Sequence, residues 1–374
     1  MKKNMGPIIV FIIICLISGC APPKGKDLTT LPEPKYILKE FNVDWVYSLA
    51  IAGSSTIYAA TEQGIYKSED KANTWKPTNH RLYNLNVLTV VVDPKNPEVI
   101  FVGGDGGIFK STNGADEWVE KNIGLTNPLV KTLAIDPENP NRLYAGCTGK
   151  GGLFISNDSG DNWEMAKDNL QITTIAIPKT HTNKIYLGTW GNGVYKSEDG
   201  SLSFQPINTG LTNFNIRAIA IDSTDTQTLY AGTQDGVFFS NNGGETWNPR
   251  NKGILNTYIW TLLVHPKQPD IVYAGTWIGG VYKSENKGKE WQRMNVGLVN
   301  TCVHKLIADP KEPDIIYAAT EGGIFQTIDG GIFWNAKNKG LVYMVKERIP
   351  PPVPVEKKKK PKPKPKAPAH GGGH

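Results

Sequence analysis

Two carboxylates, Asp105 and Asp235, and a scatter of tryptophans have the most chemistry to offer in this 374-residue chain. Glycosidic hydrolysis requires paired acids, one to protonate the leaving oxygen and one to act as base or nucleophile, at a set separation. Asp105 and Asp235 are weak candidates for such a pair, because nothing local to either marks them as partners. The aromatics offer something different. Trp45, Trp190, Trp260, Trp277 and Tyr258 are broad, rigid anchors of the kind that stack on a sugar ring or seat a protein loop. Arg217, Glu62 and Glu321 would set charge among them. No Ser/His/Asp triad, phosphate loop or dinucleotide fingerprint accompanies these residues. No Cys-x-x-Cys spacing is present, and His370 and His374 lack a third ligand. Neither a metal nor a cofactor is therefore expected.

What must position these residues is a repeat. One block, written YKSEDKANTW at Tyr66 and FISNDSGDNW at Phe154, recurs seven times. It closes on Trp75, Trp118, Trp163, Phe204, Trp247, Trp291 and Trp334, at gaps of 43, 45, 41, 43, 44 and 43 residues. A period near 43 is that of a four-stranded propeller blade. Within each unit, short β-branched runs such as Val90-Val91-Val92 end in turn signals such as Asp93-Pro94. No stretch of the body sustains a 3.6-residue period. The expected fold is all-β, a single seven-bladed β-propeller with four-stranded blades.

The block resembles the Asp-box of bacterial-neuraminidase-type repeats, Ser-x-Asp-x-Gly-x-x-Trp, with the full match at Ser156, Asp158, Gly160 and Trp163. Other copies drift: Ala72 and Ala115 replace the glycine, Asn113 replaces the aspartate, and the fourth copy has Ser201 and Phe204. The resemblance implies a hairpin between third and fourth strands, with structural box residues on the rim or bottom. It also implies that two loops per blade rim the ligand face. The loops entering each blade carry Trp45, Tyr47, Arg81, Tyr83, Phe214, Arg217, Tyr258, Trp260 and His304. Those between second and third strands carry Glu62, Asp105, Lys150, Trp190, Asn192, Asp235, Trp277 and Glu321. An acid in a tight glycine loop is ordinarily a turn residue, and a loop tryptophan can cap a neighbouring blade. The variation of this rim over a repeating frame nevertheless marks it as the place for function.

Three groups share such repeats. Tyr273-Ala274-Gly275-Thr276 and Gly280-Val281-Tyr282-Lys283-Ser284 are similar to the units of xyloglucan-active glycoside hydrolases, whose acids face each other across two propellers. Sialidases need an arginine cluster, whereas the Arg348-Ile349-Pro350 triplet lies in the tail. The third resemblance, to lipidated or lumenal propellers that help assemble photosystem II, fits a single exported propeller best. It implies a non-catalytic, membrane-anchored scaffold for an envelope protein complex. The alternative is a propeller that binds or cleaves extracellular glycan.

The termini set the location. Lys2 and Lys3, an apolar run from Ile8 to Ile17 and the small pair before Cys20 resemble a lipoprotein signal. The resemblance implies lipid on Cys20 and export to the periplasmic side or the cell surface, on the outer membrane in a host with two. The expected domains are a 1–19 signal, a 20–41 linker, a 42–342 propeller and a 343–374 disordered tail. The chain carries +6, of which the tail from Lys346 supplies +7 and the signal +2, leaving a net acidic body. Nucleic acid is therefore not an expected partner. The Lys/Pro tail favours an extended polyproline form that can contact anionic polymer or lipid. Cys147 and Cys302 lie in different repeats and read as free thiols.

Overall fold

The computed structural model describes residues 36–42, 45–83, 86–149 and 151–348, with the side chains of 36–42 and 343–348 left aside. Cys20 with its signal, Lys150 and the tail beyond Arg348 lie outside the described residues. Seven four-stranded antiparallel sheets follow one another along the chain, each made of four consecutive strands. The first blade runs Val46–Ala52, Thr56–Thr61, Gly64–Ser68 and Lys76–Pro77. The innermost strands of the other six are Val87–Val92, Val130–Ile135, Ile172–Ala176, Ile216–Ile221, Ile259–Val264 and Val303–Ala308. Each packs against the innermost strand of the next blade, and that of blade 7 packs against that of blade 1. The ring is thus a closed seven-bladed propeller. No helix occurs among the described residues, so none there is long and apolar enough to cross a membrane.

The sequence alone leaves open whether Tyr36 to Phe41 or Leu341 to Val345 adds a strand that closes the ring. In the structure every blade takes all four strands from its own repeat. Tyr36–Asn42 and Val342–Arg348 pair with each other in a separate two-stranded sheet. The boundary drawn at 343 therefore falls inside a strand, while the propeller unit itself runs from Glu40 to Tyr343.

The box aromatics explain how neighbouring blades hold together. The Trp118 indole N–H donates to the Thr78 carbonyl of the preceding blade at 2.7 Å. Trp163, Trp247, Trp291 and Trp334 repeat the bond at 2.8–2.9 Å. Trp75 closes the circle by donating to the Lys337 carbonyl of blade 7 at 2.7 Å. Phe204 has no N–H to give; at that seam Arg142 instead donates to the Gly200 carbonyl and to Ser201 Oγ. Between the blades the second strands bury a column of aromatics, from Tyr58 and Phe101 to Tyr317, each almost wholly removed from water.

The box hairpin itself is held by its polar side chains. Ser156 Oγ accepts from Gly160 N at 2.9 Å, and Asp158 Oδ1 accepts from Asn162 N at 2.9 Å and Ser156 Oγ at 2.7 Å. Gly160 sits at φ 87°, and a methyl there would meet Phe101 at 3.1 Å. Ala72, Ala115 and Ser201 adopt the same left-handed backbone, so the hairpin imposes it even without glycine. A second repeated device is an asparagine after the fourth strand, followed by x-Gly-Leu at Asn122 and Asn338 and by His80-Arg81-Leu82 at Asn79. Asn79 Oδ1 accepts from Ile65 N at 2.7 Å, and Asn122 and Asn338 do the same in their blades.

Replacing Trp118 by Phe gives this seam the ring that blade 4 already uses, and it removes the N–H together with part of a buried indole. The Thr78 carbonyl loses that donor and a small void is left, at an expected joint cost of about 1–3 kcal/mol. Chemical denaturation checks this: a fall within that range at unchanged m-value supports the indole as a seam between blades.

Candidate functional site

The innermost strands carry the same irregularity in all seven blades. The register slips by one residue between Val46 and Ser48, and at the equivalent step in every other innermost strand. The extra residue of each bulge is Tyr47, Leu88, Lys131, Thr173, Arg217, Trp260 or His304. A bulge re-aims the side chain of its extra residue. Here all seven line one cavity of about 130 Å³ in the central channel. The next residues, among them Ser48, Thr89, Thr132, Thr174 and Thr261, line it too.

Above the bulge ring the loops add the larger aromatics. Arg217 lies over the Trp190 ring at 4.3 Å and over Trp260 at 5.4 Å, and its Nη2 donates to the Tyr258 hydroxyl at 3.1 Å. Tyr258 stacks on Trp277 at 5.2 Å, and Trp260 meets Trp277 edge-on at 5.1 Å. Trp260 then touches His304 at 4.4 Å, which leads to Tyr47 at 5.7 Å and Trp45 at 5.9 Å. The result is a continuous crescent from blade 4 to blade 1. Trp45, Trp190 and Trp277 keep 39%, 37% and 41% of their surface exposed, enough to receive a partner. The loop holding Trp190 is itself fixed, because the Phe214 carbonyl accepts from Gly191 N and Gly193 N.

The structure thus brings Trp45, Trp190, Trp260, Trp277, Tyr258 and Arg217 together. Glu321 joins the crescent at its far side, 3.7 Å from His304 Nε2. Glu62 and Asp105 act on it through their fields, which add to burial in raising the Tyr47 hydroxyl. Asp105 and Asp235 stand exposed on loops of blades 2 and 5. Asp105 accepts from Asn86 Nδ2 at 2.5 Å, and the Asp235 N–H donates to Thr233 Oγ1 at 3.0 Å. Arg81 pairs with Glu117, away from the crescent.

Three basic residues of the channel escaped the reading of motifs or were read only in part. Lys131 and Lys305 carry no local signal; only aligning the seven repeats at the bulge would have exposed them. Burial, and then Arg217, pull the Lys131 ammonium below the usual lysine range, while Asp105 opposes. Lys305 lines the channel and is open to it, and burial among the surrounding blades lowers it as well. His304 is pushed down to about 4, first by burial and then by Lys131 and Arg217, so its imidazole is neutral at pH 7.

Cys302, His304 and Glu321 have donor atoms within 4.8 Å of one another, the grouping among the described residues that could hold a metal ion. Cys302 is hydrogen-bonded to Glu321, and burial followed by that bond pushes the thiol up to about 12. A metal would have to displace this proton, since the ligand is the thiolate. Cys147 is a free, buried thiol on blade 3, as Cys302 is on blade 7.

No protein-family model matches the chain, and no curated protein matches it. Solved structures share its fold. The GH74 xyloglucanase from Xanthomonas campestris aligns with a TM-score of 0.68 at 16% identity, over 82% of this chain and 56% of the enzyme. An ancestral GH74 enzyme aligns with 0.68 at 20% identity, over 79% and 46%. The chain therefore spans about half the length of these enzymes. YCF48 bound to D1 peptide aligns with 0.61 at 15% identity, over 77% of this chain and 95% of that one. These likenesses establish the seven-bladed propeller that the repeats led us to expect.

The neutral state of His304 gives stability a definite pH dependence. The unfolded chain protonates this imidazole near 6.5, and the folded chain only near 4. Below about 6.5 the unfolded state binds a proton that the folded state refuses, so stability falls as pH drops toward 4. His265, lowered by burial, adds to the same slope. Urea unfolding across that window is expected to show a shallower decline for His304→Gln than for the wild type. An identical slope would contradict the burial of a neutral His304.

Proposed function

We propose that the chain is an exported, membrane-anchored binding propeller that serves as a non-catalytic scaffold for an envelope protein complex. The lipid on Cys20 would anchor it, and the Lys/Pro tail would contact anionic polymer or lipid. The observation that carries the reading is the crescent running from Trp190 through Arg217, Tyr258, Trp260 and Trp277 to Trp45. Rigid aromatics and an arginine, with Trp45, Trp190 and Trp277 exposed and polar loops around them, form the surface on which a few residues carry most binding energy. The indole faces also suit a sugar ring, and the likeness to GH74 enzymes keeps glycan as the second reading.

The test is capture from detergent-solubilised native membranes with the lipidated full chain as bait, alongside a glycan array. A stoichiometric protein complex without a glycan hit supports the scaffold. Trp190→Ala combined with Trp277→Ala should weaken capture at least about tenfold, because hot-spot truncations cost about 2 kcal/mol or more. Asp105→Asn should leave capture unchanged. Specific glycan binding with no protein partner would overturn the scaffold reading. Turnover that Asp105→Asn or Asp235→Asn abolishes would make the chain an enzyme.

A further inference from the structure

We infer that the channel beneath the aromatic crescent is an oxyanion site, in which Lys131, Arg217 and Lys305 hold one phosphate- or carboxylate-type group. The three cations come from blades 3, 5 and 7 and line the same cavity of about 130 Å³. No Asp or Glu is among its lining residues. Arg217 acts on the Lys131 ammonium through its like charge, so these two cations repel each other across the cavity. An anion bound between them offsets that repulsion.

Unused donors in the wall point the same way. Arg217 Nε and Trp260 Nε1 are buried there without a hydrogen-bond partner. A buried N–H left unpaired costs free energy, and a rotation of either side chain toward the cavity would bring its donor to an oxygen-rich ligand. The Thr132 and Thr174 side chains stand one step deeper in the same cavity. The Thr173 hydroxyl is already committed, its one proton shared between the carbonyls of Gly188 and Ile216.

The acids nearest the mouth, Glu62, Asp105 and Glu321, stand on the loops and not in the cavity wall. Of these, Asp105 offsets part of the burden on Lys131 from above. Burial adds to the cost of the empty state, since it already disfavours the charged forms of Lys131 and Lys305. The volume suits a single small oxyanion, either free or carried on a larger ligand that covers the crescent. The inference therefore stands apart from the nature of the partner proposed above.

Thermal unfolding of the full chain tests it, with inorganic phosphate and acetate titrated against chloride at constant ionic strength. One of the two anions should raise the melting temperature saturably, by about 2–3 °C at a tenfold excess over its dissociation constant. Whichever saturates first distinguishes a phosphate from a carboxylate source. Lys131→Met and Lys305→Met should each weaken the effect at least tenfold, and Lys131→Met should melt no lower than wild type in chloride, because it removes a charge that burial and Arg217 already disfavour. Stabilisation of equal size in these variants would place the anion on the basic tail or another surface and overturn the site. So would the absence of saturable stabilisation by either anion. A second measurement needs no variant: in crystals soaked with selenate, an anomalous peak between Lys131 and Lys305 supports the site, and peaks only elsewhere overturn it.

Discussion

The indole hydrogen bond between neighbouring blades is the constraint on which this propeller depends. A blade of four short strands cannot bury both faces alone, so each must be held at a fixed angle to the next. Here one N–H in six of the seven blades, from the box tryptophan to a carbonyl of the preceding blade, sets that distance within 2.7–2.9 Å. The same bond from Trp75 to Lys337 joins the last blade to the first. Closure therefore uses the interaction already present at the other seams, and no strand has to be exchanged between the chain ends. The seam at Phe204 departs from the pattern and is held by Arg142, which reaches across to Gly200 and Ser201.

Because the frame is stabilised at the box hairpins and seams, the opposite ends of the strands are free to differ. The bulge in each innermost strand turns that freedom into a site. One residue per blade, from Tyr47 to His304, is aimed into a common channel, and the identity of that residue changes from blade to blade. Blades 5, 6 and 7 contribute Arg217, Trp260 and His304, which meet through ring contacts and cation–π stacking. Blades 2 and 4 contribute Leu88 and Thr173 at the same step. The chemistry is thus concentrated on one side of the ring, where the loop residues Trp190 and Trp277 extend it outward.

Much of this was legible in the sequence. The spacing of the box aromatics fixes the blade count, because each period supplies one sheet and the sheets must close. The rim residues were also legible, since Trp190, Tyr258, Trp260 and Trp277 occupy equivalent places in their repeats. Lys131 and Lys305 were not, because a lysine in a β-branched strand reads as a solvated face until the bulge turns it inward. The grouping of Cys302, His304 and Glu321 was equally hidden, since its third member comes from the next hairpin. The strands Tyr36–Asn42 and Val342–Arg348 could not be assigned in advance, because each finds its partner at the other end of the chain.

The question on which the functional reading turns is which end of the strands meets the partner. Ile278, beside Trp277, and Phe333, in a box hairpin, are exposed at opposite ends of their blades. A photo-crosslinking amino acid placed at each position in the full chain, and irradiated in native membranes, measures this directly. Docking on the aromatic crescent predicts a discrete adduct from position 278 and none from position 333. An adduct from 333 alone would show that the partner meets the box face and would contradict the assignment of the crescent.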